Sequence, residues 1–280
     1  FPAHPAECFE FAVKSFDLAE KFQTPVILLS DLDIGMNDWV VPRLTWNDSY
    51  RPERGRVLSP EQIEALGHFH RYADEDEHFV TPRTLPGFSP KGAYLTRGSG
   101  HNRLGGYTEL PEEYQVVVDR LAQKHRAAAP FVPPPIIDVS RTSKGNGKGK
   151  GKGKGKAPFS FVTLGGCDAA VREALDLLAE QGIHGDYMRI RGFPFGTEVE
   201  AFLNAHDVNY IVEQNRDHQL KSLILLETSV PRERLKSLLY YGGFPLSAGH
   251  VVEGFLGATG KPNGAAPRGG MPTALSGAEG

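Results

Sequence analysis

Between residues 158 and 240, short apolar runs alternate with stretches that carry helical spacing, and this alternation constrains the fold more than any other feature. Phe159-Ser160-Phe161-Val162-Thr163-Leu164 predicts a strand, Gly165-Gly166 a turn, and Asp168 to Gln181 an amphipathic helix with Val171, Ala174, Leu175 and Leu178 on one side. A second strand is predicted over Tyr187 to Arg191, and a second helix over Thr197 to His206, opened by Thr197 with Glu200 three residues on. A third strand at 208–212, a third helix from Asp217 to Glu227 and a fourth strand at 235–240 complete the pattern. Strands separated by helices imply right-handed crossovers and a parallel sheet, an α/β architecture.

The third strand stops abruptly in Glu213, Gln214, Asn215, Arg216 and Asp217. Burying Tyr210, Ile211 and Val212 stabilises the fold by roughly 1.5–3 kcal/mol each and requires none of these polar groups. They fall just past the carboxyl end of a strand, where open α/β sheets place ligands or partners. Asn215 or Asp217 would also serve as the cap of the following helix. Gly165-Gly166 lacks the remaining glycines of a Gly-x-Gly-x-x-Gly fingerprint, so it does not indicate dinucleotide binding.

Upstream, Phe9, Ala12, Val13, Phe16 and Ala19 recur at helical spacing, and Cys8, Phe11, Leu18 and Phe22 widen the apolar surface, predicting a nearly surrounded helix. Pro25 ends it, and Val26-Ile27-Leu28-Leu29 predicts a buried strand, whose sheet partners would precede Phe1 or lie on another chain. Asp31 and Asp33 follow; two carboxylates one residue apart are more often solvated than metal ligands. From Val40 to Pro135 prolines interrupt every pattern except two helices, Ser59 to about Tyr72 and Pro111 to about Ala128. So long an irregular span wraps another surface or closes over a site. Within it, His68, His70 and His78 have the wrong spacing for zinc on one helix face, and Asp74 to Glu77 lacks the glycine of a calcium loop. The loop from Tyr94 to Arg103 has glycines that would let backbone N–H groups converge on an anion, flanked by Arg97, His101 and Arg103; it fits a carboxylate or phosphate cradle as well as an ordinary glycine turn.

Residues 141–156 hold seven of the 31 basic residues and no acid, leaving 24 basic against 34 acidic side chains elsewhere. The folded parts are therefore acidic, which argues against a nucleic-acid groove on them. The Lys-Gly repeat itself is low complexity and predicts an extended tether, although a basic run also holds nucleic acid or acidic protein by charge. No apolar run approaches the roughly 20 residues that span a bilayer. The two cysteines, Cys8 and Cys167, form no Cys-x-x-Cys pair and read as buried thiols in a reducing, cytoplasmic compartment. Two cysteines cannot supply a four-thiolate iron–sulfur cluster. Phe1 begins neither with Met nor with a signal-peptide pattern, so the chain reads as a fragment lacking its amino-terminal portion.

Several segments, taken in order, carry a resemblance to a known family. They are Glu7-Cys8-Phe9 through Phe22-Gln23-Thr24-Pro25-Val26-Ile27-Leu28-Leu29-Ser30-Asp31, Arg97-Gly98-Ser99-Gly100-His101, Arg189-Ile190-Arg191-Gly192-Phe193-Pro194-Phe195, Val212-Glu213-Gln214-Asn215-Arg216-Asp217-His218-Gln219-Leu220 and Gly243-Phe244-Pro245-Leu246-Ser247-Ala248. Together they resemble the carboxyl-terminal part of the α subunit of thiamine-diphosphate-dependent 2-oxoacid:ferredoxin oxidoreductases, with the 2-oxoglutarate branch nearest. The resemblance implies that residues 1–40 are the end of a pyrimidine-binding domain and 158–256 a transketolase carboxyl-terminal-like α/β domain; the residues themselves predict an irregular wrapping segment with two helices (41–140), a disordered Lys/Gly linker (141–157) and a disordered tail (257–280). It also implies oxidative decarboxylation of a 2-oxoacid to an acyl-CoA with reduction of ferredoxin. Thiamine diphosphate with Mg²⁺ and a [4Fe-4S] cluster would be held mainly by a partner β subunit. The family's Tyr-Pro-Ile-Thr-Pro and Gly-Asp-Gly motifs are absent here; Gly185-Asp186-Tyr187 lacks the third glycine. Candidate substrate or interface contacts are Arg97, His101, Asn102, Arg191, Glu213, Gln214, Asn215 and Arg216, with no catalytic residue and no metal ligand among them. Competing readings are an interaction module that uses the basic linker, and a subunit of another thiamine-dependent oxoacid dehydrogenase or transketolase-type enzyme.

Overall fold

In the computed structural model, residues 1–74, 79–96, 100–139 and 157–260 are described. Arg97, the run from Glu75 to His78 and the Lys-Gly tether lie outside them.

The first helix, α1 (Pro5–Phe22), is opened by His4, whose Nδ1 accepts the Glu7 N–H, and it ends at Gln23 in the left-handed region at φ 47°. Phe11, Leu18 and Phe22 are buried, but Phe16 is 72% exposed, so the helix is not surrounded as its composition predicts. The irregular span that follows grips its carboxyl end. The Arg71 guanidinium donates to the Gln23 side-chain oxygen, Gln23 Nε2 donates to the Thr81 carbonyl at 2.7 Å, and Lys124 Nζ donates to the Gln23 carbonyl at 3.2 Å. Arg83 pairs with Glu20, and Trp46 packs edge-on between Phe9 and Tyr50. Cations beside the last carbonyls oppose the negative end of the helix dipole, which explains why basic side chains converge there.

Val26–Leu29 is expected as a buried strand with its sheet partners before Phe1 or on another chain; within this chain it is not buried. The four residues pair with no strand among the described residues, and each is at least 37% exposed. A short α2 (Leu32–Met36) follows, then α3 (Pro60–Leu66), which has the expected start at Ser59 in a reciprocal capping box with Gln62 but stops at Gly67 instead of continuing to Tyr72. Gly67 sits at φ +71°, a conformation that ends the helix. The fourth helix, α4 (Pro111–Ala127), matches its prediction.

The sheet is built from β1 (Ile136–Asp138), β2 (Phe159–Leu164), β3 (Asp186–Ile190), β4 (Val208–Glu213) and β5 (Leu235–Leu239), in the spatial order β1-β3-β2-β4-β5. The last four run parallel as predicted; β1 adds antiparallel to β3, Ile137 opposite Met188, so the sheet is parallel-dominated and mixed. Three residues between a proline run and a charged tether carry too little periodicity to announce a strand. Helices α5 (Cys167–Glu180), α6 (Thr197–Asn204), α7 (Gln219–Glu227) and α8 (Ala248–Thr259) cover both faces.

Alternation along the strands splits the core in two. Phe161, Tyr187 and Tyr210 pack against Val171 and Leu178 of α5 and Val251 and Phe255 of α8. Val162, Met188 and Ile211 pack on the opposite face against Val199 and Leu203 of α6 and Leu220 and Ile224 of α7. The rings of Phe159, Phe161, Tyr210 and Phe255 meet at centroid distances of 4.7–5.9 Å. Thus α8, which closes the first core, runs through residues expected to begin a tail. The predicted Thr197–Glu200 capping box does not form: Gly196 is the cap, and Glu200 accepts instead from Ser229. Among the described residues, no helix is long and apolar enough to cross a membrane.

Candidate functional site

The carboxyl ends of β2, β3 and β4 form the crevice where an open α/β sheet receives ligands, and three carboxylates of this chain's own amino-terminal segment occupy it. The first is Glu7 of α1. Arg189, at the end of β3, donates to both its oxygens at 2.7 and 2.8 Å, Arg191 approaches at 3.0 Å, and the Ala3 N–H adds a bond at 2.9 Å. Glu7 and Arg189 are 5% and 2% exposed, so the pair is excluded from water. Burial pushes the Glu7 carboxyl up, but hydrogen bonds from Arg189 and Ala3 and the charges of Arg189 and Arg191 outweigh it and lower it to about 2. Arg191 also lies over the Phe11 ring at 5.0 Å. Asp168, on the other flank of Arg189, accepts from Arg172 at 3.0 Å and from the Tyr187 hydroxyl.

The second is Asp31, the cap of α2, whose Oδ1 accepts the Ile34 N–H at 3.0 Å and whose Oδ2 accepts the Gly166 N–H at 2.6 Å. The glycines make this approach feasible: a Cβ on Gly165 or Gly166 would stand 2.9 or 2.7 Å from Asp31 Oδ2, and Gly165 has φ +60°. The pair that resembled a truncated dinucleotide fingerprint therefore receives an anion from within the chain. The third is Asp33, whose Oδ2 accepts from Gln214 Nε2 at 2.8 Å, just past β4.

The polar cluster after β4 divides by role. Glu213 is buried and turns back onto α7, accepting the N–H groups of Leu220 at 2.7 Å and Lys221 at 3.2 Å and the Asn215 amide at 2.7 Å. Asn215 Oδ1 accepts the N–H of Asp217 and Gln219. The cap residue is His218, without a side-chain bond to the helix, so neither Asn215 nor Asp217 is the cap itself; Glu213 supplies the negative charge at the helix start. Arg216 points outward, paired with Asp217 at 2.8 Å and 74% exposed.

Of the glycine-loop candidates, His101 and Asn102 are not brought to this crevice, and Arg97 lies outside the described residues. His101 stacks on Tyr72 at 4.0 Å and donates through Nδ1 to the Asn102 carbonyl, while Asn102 Oδ1 accepts from Leu104 and Gly106 to close its own turn. Glu7, Arg189, Asp31, Asp33 and Gly166 were not singled out as site residues. A charged Arg189 inside a buried strand is the one signal that pointed to a partner.

Chemically, the arrangement binds; it holds no nucleophile beside a base. Burial raises the Cys8 thiol, and raises Cys167 to about 11, against thiolate formation. Among the described residues, no three His, Cys, Asp or Glu side chains gather as a metal site, and two cysteines do not fit a four-thiolate cluster. The Gly166 N–H that a diphosphate would use is taken by Asp31, so the crevice does not fit that group either.

No protein-family model matches the chain. It is 27% identical over 249 residues to the α subunit of 2-oxoacid:ferredoxin oxidoreductase 2 of Aeropyrum pernix, covering 88% of this chain and 36% of that protein. It is 27% identical over 223 residues to the 2-oxoglutarate synthase subunit KorA of Methanothermobacter thermautotrophicus, covering 76% of this chain and 51% of that protein. The chain thus spans about half or less of the length of these relatives. A solved 2-oxoglutarate:ferredoxin oxidoreductase from Magnetococcus marinus, with 2-oxoglutarate, coenzyme A and succinyl-CoA bound, shares the fold with a TM-score of 0.74 at 21% identity, over 90% of this chain and 40% of that one. Along most of its length, then, the chain is a homologue of the α subunits of 2-oxoacid:ferredoxin oxidoreductases, 2-oxoglutarate synthase among them.

Proposed function

We propose that the chain is the scaffold part of the α subunit of a 2-oxoacid:ferredoxin oxidoreductase of the 2-oxoglutarate type, working in the cytoplasm and inactive by itself. The observation that carries this reading is the self-filled crevice: Glu7, Asp31 and Asp33 take the positions a ligand would use, so residues 158–260 serve as a receptor for the segment that ends in Asp33. Residues 1–40 act as the end of a pyrimidine-binding domain and 158–256 as a transketolase carboxyl-terminal-like domain. Thiamine diphosphate with Mg²⁺ and a [4Fe-4S] cluster sit elsewhere in the assembly, mainly on a β subunit; the two cysteines of this chain are too few for a four-thiolate cluster. Coenzyme A and the 2-oxoacid are substrates, and ferredoxin accepts the electrons.

Within this reading Arg191 and Gln214 hold the junction together, and Glu213 fixes the start of α7 beside it. Arg216, 74% exposed, is available to a neighbouring subunit or substrate, and Arg97, His101 and Asn102 are kept as candidate contacts of the same kind. Co-purification of the full-length protein with a cysteine-rich partner, followed by viologen-dye reduction, tests the proposal. Reduction that requires both 2-oxoglutarate and coenzyme A is the expected result; strong activity with pyruvate and none with 2-oxoglutarate moves the protein to the sister branch. No co-purifying partner and no 2-oxoacid-dependent reduction discards the reading.

A further inference from the structure

Away from the crevice, a cleft of about 600 Å³ opens between α4 and the loop that precedes it, lined by Tyr72, Phe79, Val116, Val117, Arg103 and Arg120, with Asp74 and Asp119 also on its wall. Its size is that of a small-molecule site, and its wall is mixed: Tyr72, Phe79, Val116 and Val117 offer apolar surface, and two arginines, two aspartates and Gln123 make up the rest. Arg120 is half-buried on α4, yet among the described residues it makes no ion pair or hydrogen bond, whereas the nearby Arg71 is fully engaged with Gln23, Thr81 and Pro82. Asp74, whose Oδ2 accepts the Phe79 N–H and whose Oδ1 is buried without a hydrogen-bond partner, makes no ion pair with it and acts on it only through the field. Burial, and the like charge of Arg71, lower the Arg120 pKa from its ordinary value, with Asp74 opposing. A guanidinium held in a partly dry cleft without an acceptor is a cost that an incoming oxyanion removes. Arg103, exposed on the turn that Asn102 closes, supplies a second fork at the same cleft.

We infer that this cleft binds a small organic anion, a carboxylate or a phosphate ester, through Arg120 and Arg103, with its carbon body against Tyr72, Phe79 and Val116. The site is independent of the function proposed above. The loop from Tyr94 to Arg103 thereby contributes Arg103 to an anion site, while the second cation comes from α4.

The test is calorimetric titration of the full chain at low ionic strength, with inorganic phosphate and with succinate in separate arms. Saturable binding of either anion is expected, and the arm that binds more tightly identifies the phosphate or the carboxylate class. Arg120→Gln should weaken binding at least tenfold, Arg103→Gln about threefold or more, and Arg120→Lys should retain an intermediate affinity by keeping the charge; Arg43→Gln, on an exposed stretch, should leave it unchanged. Absence of saturable binding in both arms overturns the inference, as does wild-type affinity in Arg120→Gln. Should Arg120→Gln fail to fold, wild-type affinity in both Arg103→Gln and Arg120→Lys overturns it equally.

Discussion

Glu7 shows how much one side chain can decide when its partners are dry. Replacing it with Ala leaves Arg189 charged, buried and without its bidentate acceptor, which should destabilise the protein by roughly 3–5 kcal/mol in urea unfolding. The pair also sets an acid limit. The folded carboxyl is held at about 2 against an ordinary 4.5, so its contribution is complete above the unfolded value and is lost as pH falls from about 4.5 toward 2. That contribution is on the order of 3 kcal/mol, and Glu7→Gln should flatten this limb of the stability-versus-pH curve. Arg216, by contrast, forms an exposed pair with Asp217, and Arg216→Gln should change stability by less than about 0.5 kcal/mol. Both residues were visible in the sequence as charged positions; which one is buried was not. Glu7 looks like any helix-surface glutamate until Arg189, 182 residues away, is folded against it.

At the level of elements, β2, β3, β4 and β5 were legible because their apolar runs are short and flanked by turns, and α5 because its stripe is regular. What failed did so for identifiable reasons. α8 contains Gly249, Val251, Val252 and Gly254, glycine and β-branched residues of low helix propensity; its formation rests on Phe255 and Leu256 packing over Phe161 and Tyr210. A chain ending at Ser247 should therefore expose that core and lose cooperative thermal unfolding, measurable by calorimetry or circular dichroism. The Gly165-Gly166 turn was legible as a turn but not as a receptor. Gly166→Ala places a Cβ within 2.7 Å of Asp31 and should displace that carboxylate, with a loss of roughly 1–3 kcal/mol in urea unfolding, while Gly182→Ala, an exposed glycine with open space around it and strained only by φ +74°, should cost about 1 kcal/mol.

For the whole molecule, the polar cluster after β4 drew notice because it lies at a strand's carboxyl end, and one of its members, Gln214, meets the amino-terminal half there. Its partner Asp33, and Asp31, which reaches Gly166 after β2, stood out in the sequence only as a weak metal motif, since no local pattern announces a contact across more than a hundred residues. The junction rests on charge and hydrogen bonding, so it should open without global unfolding. In the Glu7→Gln/Asp31→Asn double variant, small-angle scattering should show a larger radius of gyration and protease should cut sooner after residue 40, while the far-ultraviolet dichroism of the sheet domain is retained. An unchanged radius with unchanged cleavage would show that the wrapping segment alone holds the halves together.

One consequence concerns Val26–Leu29. Four successive aliphatic side chains on an unpaired backbone stretch are a template for any edge strand they encounter, and nothing on the described surface shields them. Synthesised apart from whatever normally lies against it, the polypeptide is prone to stick to copies of itself in proportion to concentration, and a charge introduced at Ile27 is the simplest remedy for anyone wishing to keep it in solution.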